Sequence, residues 1–441
     1  MAADLLRLQR LAGNDAVVQL LRPAAAPLVL QRYEAGEHLL FGGEPGKQRS
    51  YTVNGVTLTY GEMIAMGDFF ESPREMQEAP AAVLPELKKA INDDIAKPGS
   101  VTTERWEQAT AGLPKGKRYT DMASKNAAHF APASGPRQPG APKDHQAMWR
   151  MLHFQALNLA LAGKTDEAME TNAFADHFLT DAFSAGHLIN KADTMARAKA
   201  SMKAAGTPGV HIVDRSVFTD KVATGILKNA PELQNYQIRV KDSATFWWNK
   251  MNHESLTEII YGSSQEAETQ EGFFSLFVRL AHDSLNQDIH KDPSGAIVGG
   301  VEVENGKGDH WMLSGDETLA LSPETLRIGR EAVAQSQRNI ISAMAHRGTG
   351  TLDYEGLAAL VWEYVPHPTA TPAGKGKVDQ AVGTFTDVNQ QQTIDRFVDV
   401  SVSNLPTLIA KLTEKHLMRP KPGAQPAPSA PRPLPVPAAA R

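Results

Sequence analysis

The sequence predicts a mainly α-helical protein, a multi-helix domain that carries a small β-hairpin insertion. Two observations lead there: apolar residues recur at three- and four-residue spacing through most of the chain, and one stretch alternates like a strand pair around a glycine-rich turn. The helical spacing covers 147–161, 167–188, 271–287, 323–345 and 393–417. The hairpin lies within 296–313, where Val298, Val301 and Val303 precede Asn305-Gly306-Lys307-Gly308 and His310-Trp311-Met312-Leu313 follows. A second, smaller strand pair is expected in 51–60 around Asn54-Gly55. The stretches 131–143 and 366–377 are rich in Pro, Gly and Ala and read as loops. No internal repeat occurs at solenoid periods.

The ends differ from the middle. Residues 1–32 form an amphipathic segment, with Leu5, Leu8, Leu11, Val18 and Leu21 near helical spacing, followed by a Pro/Ala linker. Residues 33–347 form the helical domain, 348–418 a C-terminal helical extension, and 419–441 a Pro/Ala-rich tail expected to be disordered.

Composition narrows the chemistry. The chain of 441 residues has a formal net charge of −5 and a pI near 6.3, which gives no general attraction for nucleic acid or an anionic membrane. It contains no cysteine, so disulfides, thiolate catalysis and thiolate metal sites are excluded, and a metal must be held by His, Asp and Glu. Fourteen histidines supply the nitrogen. No stretch reaches the roughly 20 apolar residues of a membrane span, and the start lacks a basic region followed by an apolar core. A soluble protein without an ordinary secretory signal is expected.

The chemistry concentrates in His177-Phe178-Leu179-Thr180-Asp181-Ala182-Phe183-Ser184-Ala185-Gly186-His187. On a helix, His177 and Asp181 stand about 40° apart around the axis and reach the same metal. His187 follows nearly three turns on, rotated roughly 80° the other way, toward a neighbouring position. The small residues Ser184-Ala185-Gly186 allow a bend or a close backbone approach there.

This H-x3-D-x5-H spacing resembles the central motif of the bacterial zinc-dependent phospholipases C and the related fungal single-strand zinc nucleases. The resemblance implies two or three zinc ions, with His177 and Asp181 binding metal and His187 serving an adjacent ion. It further implies metal-binding roles for His129, in Ala128-His129-Phe130, and for Asp68, in Gly67-Asp68-Phe69, with Asp68 and Asp181 as the catalytic carboxylates. Downstream, His282 is the candidate that joins His187. The family uses the free amine of an N-terminal Trp in one site; here the first Trp is Trp106, and His38 takes that neighbourhood. The family also places an acid four residues after its late His, where this chain has Asn286, with Asp283 as the available substitute. The long gap between His187 and His282 implies an inserted subdomain at about 190–270.

The activity so implied is phosphodiester hydrolysis on a phospholipid or another phosphodiester, the acidic composition favouring lipid over nucleic acid. A zinc nuclease is one alternative. A non-catalytic structural or adaptor protein that keeps the fold with a decayed site is another. Asp309, Trp311 and Asp316 around the hairpin, and the aromatic pairs Trp247-Trp248 and Phe273-Phe274, read more economically as structure, and His211 with Asp214 is an alternative donor set. Finally, 8–21 resembles a short motif near the start of proteins associated with bacterial extracellular contractile injection systems. That resemblance implies a particle partner recognised through 1–22, bacterial cytoplasm before loading, and delivery as an effector or toxin; a plain amphipathic helix is the other reading.

Overall fold

The computed structural model describes residues 35–44, 46–97, 100–114, 116–119, 122, 126–133, 144–204, 217–242, 245–265, 267–347, 352–414 and 418–422. The N-terminal segment 1–22, with its injection-system resemblance, and the pair His211 and Asp214 lie outside the described residues. In chain order the elements begin with α1 (Ala35–Phe41), β1 (Ser50–Val53), β2 (Val56–Thr59), α2 (Tyr60–Ala65), α3 (Pro73–Gln77), α4 (Val83–Ala96) and α5 (Thr103–Ala109). Next come α6 (His145–Leu161), α7 (Thr165–Asp181), α8 (Lys191–Ala204), α9 (Val217–Asn229), β3 (Tyr236–Asp242), β4 (Thr245–Lys250), α10 (His253–Gln265) and α11 (Ala267–Asn286). The remainder comprises β5 (His290–Lys291), β6 (Ile297–Val298), β7 (Val301–Glu304), β8 (His310–Leu313), α12 (Pro323–Ala345), α13 (Tyr354–Trp362), β9 (His367–Pro368), α14 (Lys377–Thr386), α15 (Gln391–Glu414) and β10 (Met418–Pro420). The protein is mainly α-helical, with only small antiparallel sheets. No helix among the described residues is long and apolar enough to cross a membrane.

The expected strand pairs form where the turn chemistry placed them. In β1–β2, Asn54 and Gly55 both take positive φ (46° and 75°), the backbone that a two-residue turn needs to match strand twist. In the larger hairpin, β7 pairs with β8, Val303 opposite Trp311. β9 adds a third strand on the other edge of β7, from a stretch expected to be loop.

The chain divides into two compact units, Val29–Arg197 with Phe277–Thr386, and a smaller one that takes in Ala198–Leu276 and the chain from Asp387 on. The division falls at 198–276 and after Thr386, beside the expected bounds of about 190–270 for the inserted subdomain and 348–418 for the extension. The reason is visible in the smaller unit. Phe397 of α15 sits 5.2 Å from Phe218 of α9 and 5.5 Å from Phe273, and the backbone of Gly225 lets Val398 approach. Phe273 and Phe274 are core residues of that unit. Arg419 and Pro420, expected at the start of a disordered tail, pair with β3, and the Arg419 guanidinium lies 4.1 Å from the Trp248 ring centre.

In the larger unit the central element is α7. Every residue from Ala168 to Asp181 is buried, so beyond its exposed first turn this helix has no solvent face. One stripe is apolar, with Phe174, Ala175, Phe178 and Leu179, and the other carries Asn172, Asp176, His177, Thr180 and Asp181. The cost of burying polar groups is offset by hydrogen bonds. Asp176 accepts from Tyr60 of α2 at 2.7 Å, Ser336 of α12 at 2.6 Å, Trp149 of α6 at 3.3 Å and Asn172 at 3.2 Å. Burial nevertheless pushes its carboxyl up to about 7, and burial beside Asp176 pushes the Tyr60 phenol well above its usual range.

Next to it, His153 of α6 is 2.6 Å from Asn172 Oδ1 through Nδ1 and 3.3 Å from Asn339 Nδ2 through Nε2. Nδ1–H donates and Nε2 accepts, which satisfies a neutral ring and leaves no place for a second proton. Burial lowers His153 to about 4, and burial together with the charges of His187 and His367 lowers His145 to about 3. Because the unfolded rings titrate near 6.5, each stabilises the fold above that pH and loses its contribution as pH falls toward 4. The expected slope is about 1.4 kcal/mol per pH unit per group. Urea unfolding of chelator-treated protein should therefore weaken from pH 7 to pH 4.5, and the His153→Gln variant should show a slope shallower by about one proton; an unchanged slope would remove His153 from this role.

Candidate metal centre

Asp181 ends α7, fully buried, and four imidazoles surround it. Its Oδ2 is 2.8 Å from His129 Nδ1 and 3.6 Å from His177 Nε2; its Oδ1 is 3.7 Å from His38 Nε2 and 3.2 Å from His187 Nδ1. His38 comes from α1, His129 from a short 3-10 turn at Asn126–His129, and Asp68 from another at Met66–Asp68. Asp68 stands 3.9 Å from both His38 Nε2 and His177 Nε2. That turn packs so closely on α7 that a β-carbon at Gly67 would collide with the His177 ring, which explains the glycine before Asp68.

The orientation of His38 is set from behind. Thr180 donates its hydroxyl hydrogen to the backbone of its own helix turn, at 2.8 Å from His177 O, so at 2.7 Å it accepts from His38 Nδ1–H. Nε2 then presents its lone pair toward Asp68 and Asp181, at distances too long for hydrogen bonds. A lone pair aimed at two carboxylates is relieved by a cation among them. Donor atoms about 2.0–2.2 Å from one ion stand roughly 3.3 Å apart in a tetrahedron, close to the spacings around His38, His177 and Asp181. These three residues, all buried, could hold a metal ion. Asp68 borders the same space, whereas His129 lies at direct hydrogen-bond distance from Asp181 and orients it.

A second buried group, His187, His282 and Asp316, brings one donor atom from each within 4.8 Å of the others. His187 reaches it because α7 does not continue. After Asp181 the bonds tighten to three-residue spacing, Phe183 N–H to Thr180 O and Ser184 N–H to Asp181 O, and Ala185–Leu188 forms a separate 3-10 turn. The helix expected through 188 thus ends at Asp181, and His187 lies beside Asp181 rather than nearly three turns beyond His177. His282, on α11, lies with its ring centre 5.0 Å from that of His187, and its Nε2 is 3.3 Å from Asp316.

Asp283, the expected carboxylate, stands elsewhere. It faces His282 Nδ1 at 3.3 Å from the partly exposed side of α11 and pairs with Arg279 at 3.4 Å, outside the second group. Helix geometry turns consecutive residues about 100° apart, so the neighbour of a ligand points away. Asp316, in the loop after β8, occupies the place instead. Burial disfavours the His282 imidazolium, but Asp283 and Asp316 outweigh it and push the ring up to about 9; burial raises Asp316, but His282, His187 and Ser184 outweigh it and hold its carboxyl low. Asp309 and Trp311 are structural, bonded to Arg327 and Thr325.

Metal bound only by the native protein stabilises it by mass action, about 2.7 kcal/mol at a hundredfold excess over the dissociation constant. Adding a divalent ion to chelator-stripped protein should raise its unfolding temperature by several degrees, and Asp181→Asn should remove most of that rise. A stripped protein whose unfolding temperature ignores Zn2+, Co2+ and Mn2+ would show that these groups hold no metal. No family model matches the chain, and no curated protein or solved structure is significantly similar to it, so the site geometry is the ground on which a function is argued.

Proposed function

We propose that this chain is a zinc-dependent phosphodiester hydrolase of the phospholipase C type. One observation carries the reading: two adjoining buried groups of imidazoles and carboxylates, with Asp181 facing both. Neutral imidazole and carboxylate suit zinc, and the protein offers no sulfur ligand from cysteine. Asp68, Asp181 and Asp316 contribute three negative charges, so two divalent ions leave one net positive charge, the complement of a phosphodiester monoanion. A phosphomonoester dianion or a neutral ester is a poorer match.

Bound metal would lower the pKa of a water and stabilise charge on the phosphoryl oxygens. The residues supply the rest. Thr180 fixes the His38 ring and His129 fixes the Asp181 carboxylate, so neither must reorganise during reaction. Phe130, 5.2 Å from His187 and 5.7 Å from His282, keeps bulk water from that side, and Phe178 does the same beside His129 and His177. The net negative charge of the chain favours a lipid diester over a polyanionic nucleic acid.

The test is hydrolysis of a short-chain choline-headgroup phospholipid beside single-stranded DNA, with zinc-loaded protein. Release of phosphocholine, lost on chelation and lowered at least ~100-fold in Asp181→Asn, is expected. DNA cleavage alone would move the assignment to a nuclease. Zinc-loaded protein inert on both would return the chain to a structural role.

A further inference from the structure

Position 286 holds an amide four residues after His282, and its surroundings explain why. Asn286 Oδ1 accepts from Gly186 N–H at 2.6 Å, and Asn286 Nδ2 donates to Asp316 Oδ2 at 2.8 Å. The assignment of oxygen and nitrogen is unambiguous, because a backbone N–H needs an acceptor and a carboxylate needs a donor. Only a neutral amide meets both demands at once; a carboxylate at 286 would face Asp316 with like charge. Asp316 is held from its other oxygen as well, by the Ser184 hydroxyl at 2.6 Å.

The cradle is built for close approach. A β-carbon at Gly186 would lie 2.5 Å from His282 Cδ2 and 2.6 Å from Asn286 Oδ1, and one at Gly315 would collide with the Asn286 backbone. The two glycines let the 3-10 turn carrying His187 and the loop carrying Asp316 close on the same asparagine. Ala185 N–H bonds to Ser314 O at 2.8 Å and ties these segments directly. Beyond Asp316, the buried Glu37 carboxylate accepts from Glu317 N–H and Leu319 N–H, both at 3.0 Å, and holds Glu317 at a positive φ of 64°. Residue 316 is thereby aimed at His282.

From this geometry we infer that His187, His282 and Asp316 form a second metal site whose carboxylate comes from the loop after β8, with Asn286 as its positioning residue. The inference concerns where the ion binds and rests on the metal-binding part of the proposed function, not on the reaction.

Metal counting on the full chain tests it, using Co2+ or Zn2+ with elemental analysis and the visible Co2+ spectrum. Asp316→Asn keeps the size of the side chain but replaces one acceptor oxygen with a donor, and should bind one ion fewer than the unsubstituted protein, with the Co2+ bands of the remaining site retained. Asn286→Ala should weaken that same ion 10- to 100-fold, the scale of lost ligand orientation. The exchange variant Asn286→Asp with Asp316→Asn moves the charge onto α11, restores the amide–carboxylate pair in reverse, and should recover the ion count. It also decides the matter if Asp316→Asn fails to fold. A folded Asp316→Asn with full count and affinity, or a folded exchange variant one ion short, overturns the inference. Unsubstituted protein that binds no metal would instead sink the functional reading itself.

Discussion

A carboxylate at the end of a helix that is buried from Ala168 onward is the constraint around which the larger unit is organised. Asp181 has no exposure, and removing an ionised carboxylate from water costs several kcal/mol even after the protein relaxes. The structure meets that cost by gathering imidazoles from four segments within 4 Å of it. Two of these, His38 and His129, have no sequence relationship to α7. Their arrival requires α1 to pack beside α7 and the Asn126–His129 turn to cross its end.

The second polar layer of α7, one turn earlier, serves a different purpose. Asp176 and Asn172 bond to Tyr60, Trp149, Ser336 and His153, which lie on α2, α6 and α12. A hydrophobic interface tolerates small sliding; a set of directional bonds to three neighbouring helices does not. The rotation and height of α7 are therefore fixed behind the site, and His177, adjacent to Asp176, inherits that position. Rigid support a turn away is what keeps metal-ligating side chains within a few tenths of an ångström of a usable geometry.

Local rules made part of this legible. Helical spacing located α6, α11, α12 and α15 to within a few residues and the start of α7 but not its end, Asn54-Gly55 located the first turn, and His177 with Asp181 followed from four-residue spacing. What sequence could not supply is tertiary. Asp316 lies in a loop with no periodicity, thirty positions from Asn286, and its role arises only because Gly186 and Gly315 admit close contact. A bend was suggested by Ser184-Ala185-Gly186, but not the 3-10 turn that sets His187 beside Asp181. β9 and β10 are two- and three-residue strands defined by their partners, too short to carry a pattern. The division at Thr386 depends on which neighbours α15 finds, and helical spacing describes a face without naming what covers it.

The inserted stretch 198–276 has a bearing on assembly. It separates His38, Asp68, His129, His177, Asp181 and His187 from His282 and Asp316 in sequence, though all eight belong to one compact unit. Contacts between such distant positions carry a loop-closure cost that must be met before they gain anything, so they form late. On a ribosome, the first six would emerge well before the last two, and the first group of donors would be complete while the second still lacked its carboxylate. Ser336, which helps to fix the helix that carries Asp181, emerges later still, so neither group of donors is held in its final place until nearly the whole larger unit has been made.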